Sequence, residues 1–357
     1  MSRKRLPENM ALPPYARRTS SGFYLEPKGE LLARLGGRKS FPLGKTYFEM
    51  YRKYHEIVGD VESSLTNSGT TVGQLIDKYL LEFTAVKSQE TQRRELGRAI
   101  MLKKTFGHMA PEQVEKKHIY QYMNLRTKKG AMKGVVREVK LLQSVYSEAE
   151  AWYGIEHNPC NGVKYGKGRQ VTPRDRYVTN DEYTVFRKFS HDRNSMIAAY
   201  MDFKYVTGLR AGDIREIKQT QFIEEGIHVH IGKPGLERII AWSPALREAT
   251  RNLIVACIRE RVDRHGITRK VNSDYLLFNE KGLPYTASGW RAIFYRLMRE
   301  ALKQGVLKES FCEHDIRAKA GSDYESLEEA SKFLAHLNVA TTAKHYRRKP
   351  EVIQPRF

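Results

Sequence analysis

The chain has 357 residues, 40% of them hydrophobic and 29% charged, a length suited to two or three globular domains. Lys and Arg number 62 against 41 Asp and Glu, and a formal charge of +21 makes a polyanion, nucleic acid first, the expected partner. Runs of about eighteen apolar residues are absent, which argues against a membrane span, and nothing apolar follows the basic start "MSRKRLPENM" to make a secretory leader. Cys160, Cys257 and Cys312 form no C-x-x-C pair, which excludes a disulfide framework or cysteine zinc site and fits a reducing cytoplasm.

In chain order, "GFYLEP" and "RKSFPLG" read as strands bounded by Gly and Pro, and "KTYFEMYRKYHEIV" as a helix. This segment is strongly basic, with Arg3, Lys4, Arg5, Arg17 and Arg18 as candidate phosphate contacts. The polar stretch "SSLTNSGT" reads as a linker. Helices follow. "TVGQLIDKYLLEF" aligns Val72, Leu75, Ile76, Tyr79, Leu80 and Phe83 on one stripe, and "GVVREVKLLQSVYSEAEAWYG" does the same with Val135, Val139, Leu142, Val145, Tyr146 and Trp152. A further amphipathic, lysine-rich helix lies between them, so a bundle of four or five helices with basic outer faces is expected. "NPCNGVKYGKGRQVTPRDR" reads as a second linker.

The last unit opens with a capping box, Thr179 and Glu182, ahead of "TVFRKF". "GIHVHIGKPGLERIIAW" alternates, turns at Pro234-Gly235 and returns, which predicts a hairpin with Lys233 at its tip. The remainder is mostly helical.

No D-x-D, compact acidic triad or P-loop stands out, so neither a carboxylate-held Mg²⁺ nor ATP is expected to drive the chemistry. Cationic side chains are available instead. "VTGLRAGDIREI" places Arg210 at a helix start with Asp213 three residues on, and "CEHDIRAKAG" projects His314 and Arg317 from one helix face. "LAHLNVATTAKHY" supplies His336 and then Tyr346. Attack on a phosphodiester builds charge on the two non-bridging oxygens, which two arginine forks can grip as a lysine cannot. A phenol with pKa near 10 is a weak nucleophile until a base and a positive field favour phenolate. The departing 5′-oxygen needs a proton, for which a mobile lysine is suited.

The set Arg210, Lys233, His314-x-x-Arg317, His336 and Tyr346 resembles the tyrosine recombinases, specifically phage integrases of the lambda type, over almost the whole chain. "TGLRAGDI" looks like the family's first box, "HDIR" its second, and "LAHLNVATTAKHY" its tyrosine segment. Two departures stand out: Ala335 replaces the usual glycine, with little consequence expected, and the His336–Tyr346 gap is one residue longer than the commonest spacing.

The resemblance implies an α+β protein of three domains. An arm-type DNA-binding domain with a small three-stranded sheet would span 1–62, an all-α core-binding bundle 71–160, and a mainly α catalytic domain with a β-hairpin 172–357. Tyr346 would be the nucleophile forming a 3′-phosphotyrosine, and Arg210 and Arg317 the phosphate clamp. Lys233 would protonate the leaving 5′-oxygen, His314 would act as base or hydrogen-bond partner, and His336 would donate to a non-bridging oxygen. Asp213 would orient the site. No cofactor and no metal are implied. The partners would be double-stranded DNA at core and arm attachment sites, further copies in a homotetramer, a host DNA-bending protein and an excisionase, in a bacterial cytoplasm. A type IB topoisomerase would share the nicking chemistry, and a DNA-binding protein with a decayed site would lack one of the six residues.

Overall fold

In a computed structural model, residues 12–13, 15–62, 70–166, 175–231, 236–258, 260–262, 268–271, 273–346 and 348–349 are described. The expected linker at 63–70 falls almost entirely outside them, as do the hairpin turn and Arg3, Lys4 and Arg5. Two compact units emerge, Met1–Val171 and Thr172–Phe357.

The first unit begins with strands β1 (Ala16–Thr19) and β2 (Gly22–Leu25), helix α1 (Gly29–Arg34), strand β3 (Phe41–Gly44) and helix α2 (Tyr47–Glu62). The sheet is antiparallel in the order β1-β2-β3. Gly22 permits the turn into β2: its φ is +145°, and a Cβ there would meet the Gly44 carbonyl at 2.6 Å. Leu25, Leu43, Met50 and Tyr54 close a small apolar core under α2. Arg17 and Arg18 lie exposed on β1, where Arg17 meets Glu26 at 3.4 Å and Arg18 lies over the Phe23 ring.

Four helices follow in the same unit: α3 (Val72–Tyr79), α4 (Gln89–Phe106), α5 (Lys116–Lys128) and α6 (Met132–Tyr153). Both predicted stripes face one core, with Leu75, Ile76, Val139, Leu142 and Tyr146 buried in it. Thr71 and Gln74 cap α3 reciprocally, which satisfies donors the helix start leaves open. The helix does not run unbroken to Phe83 as its pattern suggests. One π turn spans Leu80–Thr84, and the buried Thr84 hydroxyl there donates to Glu95 at 2.6 Å. Lys103 ties the sheet region to the bundle, donating to Tyr51 at 2.9 Å and to Asp77 at 2.6 Å.

The second unit holds α7 (Asn180–Arg193), α8 (Ser195–Thr207), α9 (Ala211–Glu216), β4 (Gly226–Ile231), β5 (Leu236–Ala241) and α10 (Pro244–Cys257). Strands β6 (Glu260–Val262) and β7 (Thr268–Lys270) come next, then α11 (Ala287–Lys303), α12 (Glu313–Ser322), α13 (Leu327–Phe333) and α14 (Val339–His345). The predicted capping box forms, with the Thr179 side chain accepting from the Glu182 amide. The hairpin forms too, β4 pairing antiparallel with β5. Helix α8 is the centre of the domain, buried along most of its length and packed by α7, α10 and α12. A buried helix of this kind fixes whatever hangs from its ends. The architecture is thus helix-dominated with small antiparallel sheets, as the α+β reading expected.

Candidate active site

Arg210 enters the site from the turn that ends α8. Gly208 stops the helix in the left-handed conformation, φ +63°, and a Cβ there would sit 2.5 Å from the Phe333 ring, so only glycine fits. Two buried cations then hold the turn by its carbonyls. Lys204 Nζ donates to the Leu209 oxygen at 2.9 Å, and Arg317 Nη1 donates to the Gly208 oxygen. Arg210 itself stands as N-cap of α9, half-exposed, with Asp213 4.0 Å away at the next turn. Asp213 Oδ2 is buried and has no hydrogen-bond partner among the described residues, which leaves it facing the arginine as an orienting charge.

Helix α12 carries the second pair. Its start is fixed by Glu313, whose carboxylate accepts from Tyr200 at 2.8 Å and Trp290 at 3.0 Å, and by Asp315, which caps the Cys312 amide at 2.9 Å. Its end is fixed by Asp323, which accepts from Tyr177, Tyr205 and Lys319, each at 2.8 Å. His314 and Arg317 therefore project from a rod pinned at both ends.

Arg317 is 1% exposed and forms no salt bridge among the described residues. Its Nη2 donates to the Leu334 oxygen at 2.6 Å and meets His336 Nε2 at 3.2 Å, while Nε has no hydrogen-bond partner among the described residues. A buried guanidinium held by neutral carbonyls, with Tyr346 and Asp213 only partly offsetting its burial, is costly unless an anion is the intended partner. A phosphate oxygen meets that requirement.

Tyr346 follows α14 directly and is 7% exposed. Its ring lies between two imidazoles, with centroids 5.5 Å from His314 and 4.5 Å from His336, and the Arg317 guanidinium is 5.4 Å from the ring centre. The phenol oxygen is 3.2 Å from His314 Nε2. His314 is exposed as a residue, while burial of its ring face, with Lys204, Arg317 and Arg348 adding repulsion, lowers the imidazole to about 4. A neutral ring leaves Nε2 free to accept from the phenol, and the lowered pKa makes it a hydrogen-bond acceptor more than a strong base.

His336 is held at both nitrogens, Nε2 by Arg317 and Nδ1 by the hydroxyl of Thr342 at 2.8 Å. Burial and then Arg317 and Arg210 bring its pKa to about 4. Because the guanidinium can only donate, Nε2 accepts here and Nδ1 carries the proton toward Thr342. Donation to a phosphate oxygen from Nε2, the role expected of it, requires the other tautomer or the imidazolium.

Six of the predicted residues, Arg210, Asp213, His314, Arg317, His336 and Tyr346, thus converge on one site. Lys233 lies outside the described residues, and Arg17 and Arg18 belong to the other unit. Ala335 proves costlier than its sequence suggests: its φ is +53°, a conformation that costs a residue bearing a Cβ about 1–2 kcal/mol. Sequence reasoning missed Lys204, Asp315, Thr342 and Arg348, all engaged with this cluster. Among the described residues no group of His, Cys, Asp and Glu is arranged to hold a metal ion, and no helix is long and apolar enough to cross a membrane.

Residues 176–351 match the family model described as the phage integrase family. The chain is 23% identical over 223 residues to the tyrosine recombinase XerC of Staphylococcus epidermidis, covering 59% of this chain and 69% of that protein. In fold it is similar to a lambda integrase dimer bound to a COC′ core site, with a TM-score of 0.63 and 18% identity over 99% of this chain and 100% of the other. A lambda integrase tetramer bound to a Holliday junction gives a TM-score of 0.63 and 17% identity over 99% of each chain. With the matched region enclosing the whole arginine, histidine and tyrosine cluster, residues 176–351 are a domain of the phage integrase family, and the chain is similar in sequence to a tyrosine recombinase.

Proposed function

We propose that the chain is an integrase that inserts and excises a phage or other mobile genome by site-specific strand exchange, and that the cluster around Tyr346 is its catalytic site. The observation that carries this reading is the 3.2 Å contact between the Tyr346 phenol and a neutral His314 beside the buried, unneutralised Arg317.

His314 Nε2 takes the phenol proton as the oxygen attacks phosphorus. Arg317 and Arg210 bind the two non-bridging oxygens as negative charge grows on them; one such preorganised donor is typically worth about 10²–10³ in rate. The Tyr346 O–P bond forms, the P–O5′ bond breaks, and Lys233 gives the 5′-oxygen its proton. The 3′-phosphotyrosine keeps the diester energy, so a 5′-hydroxyl from a second duplex reverses the step without ATP. Asp213 orients Arg210. Divalent metal has no place in this scheme, since fixed cations carry the charge.

The three-domain division belongs to the same proposal. Residues 1–62 bind arm sites through Arg17, Arg18 and the outlying Arg3, Lys4 and Arg5, mostly at phosphates. Residues 71–160 and 172–357 enclose the core site. The lambda integrase tetramer on a Holliday junction supports a homotetramer acting through a four-way intermediate. Bringing arm and core sites together requires bent DNA, which assigns places to a host bending protein and an excisionase.

Incubating the protein with a nicked suicide duplex carrying the core site, followed by peptide mapping, tests the reading. Tyr346 should carry the 3′ end, chelation by EDTA should leave the yield unchanged, and Tyr346→Phe should trap nothing. A covalent adduct elsewhere, or none, would sink it. Exchange of strands between two duplexes separates an integrase from a type IB topoisomerase, which only relaxes.

A further inference from the structure

Arg348 comes two residues after Tyr346, in a run of basic residues, yet its side chain is only 6% exposed. Its Nη1 donates to Asp315 Oδ1 at 2.7 Å and to the Arg176 carbonyl at 3.0 Å, and its Nε donates to the His345 carbonyl at 3.0 Å. Asp315 is fully buried, and its other oxygen caps the start of α12. A second tie runs beside the first. Ser322 Oγ, at the far end of α12, donates to the Tyr346 carbonyl and accepts from the Arg348 amide at 2.9 Å. The backbone from the Tyr346 carbonyl to the Arg348 amide is therefore bound to the helix that carries His314 and Arg317, and the His345 carbonyl before it is held through Arg348.

We propose that Asp315 and Arg348, together with Ser322, form a latch that sets the distance of the Tyr346 phenol from the base and the scissile phosphate. They are positioning residues, not catalytic ones. None of these hydrogen bonds involves the phenol oxygen, and the buried Arg348 guanidinium is oriented by one carboxylate and two carbonyls at once, which fixes direction as well as distance. Asp315 is the hinge point of the arrangement, because one carboxylate holds both the tyrosine segment and the first turn of α12. A misplacement of about 1 Å at a reacting atom costs on the order of 10²-fold in rate.

The inference rests on Tyr346 being the nucleophile, and the test separates the two. The variant is Arg348→Met with Asp315→Asn, which removes both charges together, keeps approximate volume and leaves an acceptor for the Cys312 amide. Two reactions are followed in single turnover. One is covalent capture on the nicked suicide duplex, in which Tyr346 attacks and the 5′-oxygen leaves. The other is rejoining of a DNA end bearing a 3′-phospho-p-nitrophenyl ester. In a Tyr346→Phe background, an adjacent 5′-hydroxyl there attacks phosphorus directly and p-nitrophenolate leaves, so the arginines act and no tyrosine can intervene.

Capture should fall about 100-fold while rejoining stays near the rate of Tyr346→Phe alone, and Arg348→Lys alone should recover part of the capture. Equal loss in both reactions would mean a merely structural pair and overturn the latch, as would unchanged capture. Wild-type protein that rejoins the activated end but captures no DNA through Tyr346 would overturn the nucleophile assignment, and the latch with it.

Discussion

Replacing Lys204 by methionine should make the second unit more tolerant of neutral pH and a worse enzyme. The side chain is fully buried on α8, and burial, reinforced by Arg317, brings its ammonium from 10.5 down to about 8. That fall is equivalent to about 3 kcal/mol, the cost of keeping the cation inside at pH 7. In the unfolded chain the amine holds its proton up to about 10.5, whereas in the folded protein it lets go near 8. Between those values the unfolded state binds more protons, so wild-type stability rises with pH there. Below pH 8 the full cost is present; above 10.5 it is gone.

Methionine does not titrate. It removes the cost at pH 7 but strands the Leu209 carbonyl, which offsets about 1–3 kcal/mol. The offset is independent of pH, so the diagnostic quantity is a slope. The stability of Lys204→Met minus that of wild type should fall by about 2–3 kcal/mol between pH 7.5 and 10. Urea unfolding midpoints at half-unit pH intervals measure it, and the subtraction cancels every other titrating group. Covalent capture should drop at least about tenfold at all pH values, since the turn presenting Arg210 loses one of its two anchors. A flat difference curve would refute the claim that a charged lysine lies under the site; an unchanged capture rate would refute its role in holding the turn.

Gly208→Ala should cost about 2–5 kcal/mol, the left-handed penalty of about 1–2 kcal/mol plus overpacking against Phe333. Urea midpoints would show it, and a loss under 1 kcal/mol would mean that the Phe333 ring moves aside freely. Thr342→Val, nearly equal in shape, should leave folding intact but slow covalent capture by about 10–100-fold, as losing the partner that sets an imidazole's tautomer does elsewhere. An unchanged rate would show that His336 does not need Thr342 to orient it.

The sequence announced the residues proposed to react better than their supports. Arg210, His314, Arg317, His336 and Tyr346 could be read in order because each carries a side chain whose chemistry the proposed reaction demands, at spacings that survive folding. Lys204 could not. In "AYMDFKYVTG" a lysine on an amphipathic-looking helix reads as solvated, and only the packing of α7, α10 and α12 around α8 reveals that no solvent reaches it. Arg348 was hidden differently, inside "YRRKP", where three basic residues look like one exposed patch. Its burial depends on Asp315, 33 positions earlier, a pairing that local periodicity cannot signal. The π turn after Tyr79 was equally invisible, because the apolar stripe continues across it.

Tyr346 sits in a shelter. At 7% exposure it contrasts with Tyr153 at 50% and Tyr295 at 42%, so nitrating or acylating reagents in solution will spend themselves on those rings first. Under the role proposed for Tyr346, a nucleophile so covered would be spared from chance electrophiles until a duplex is drawn over it.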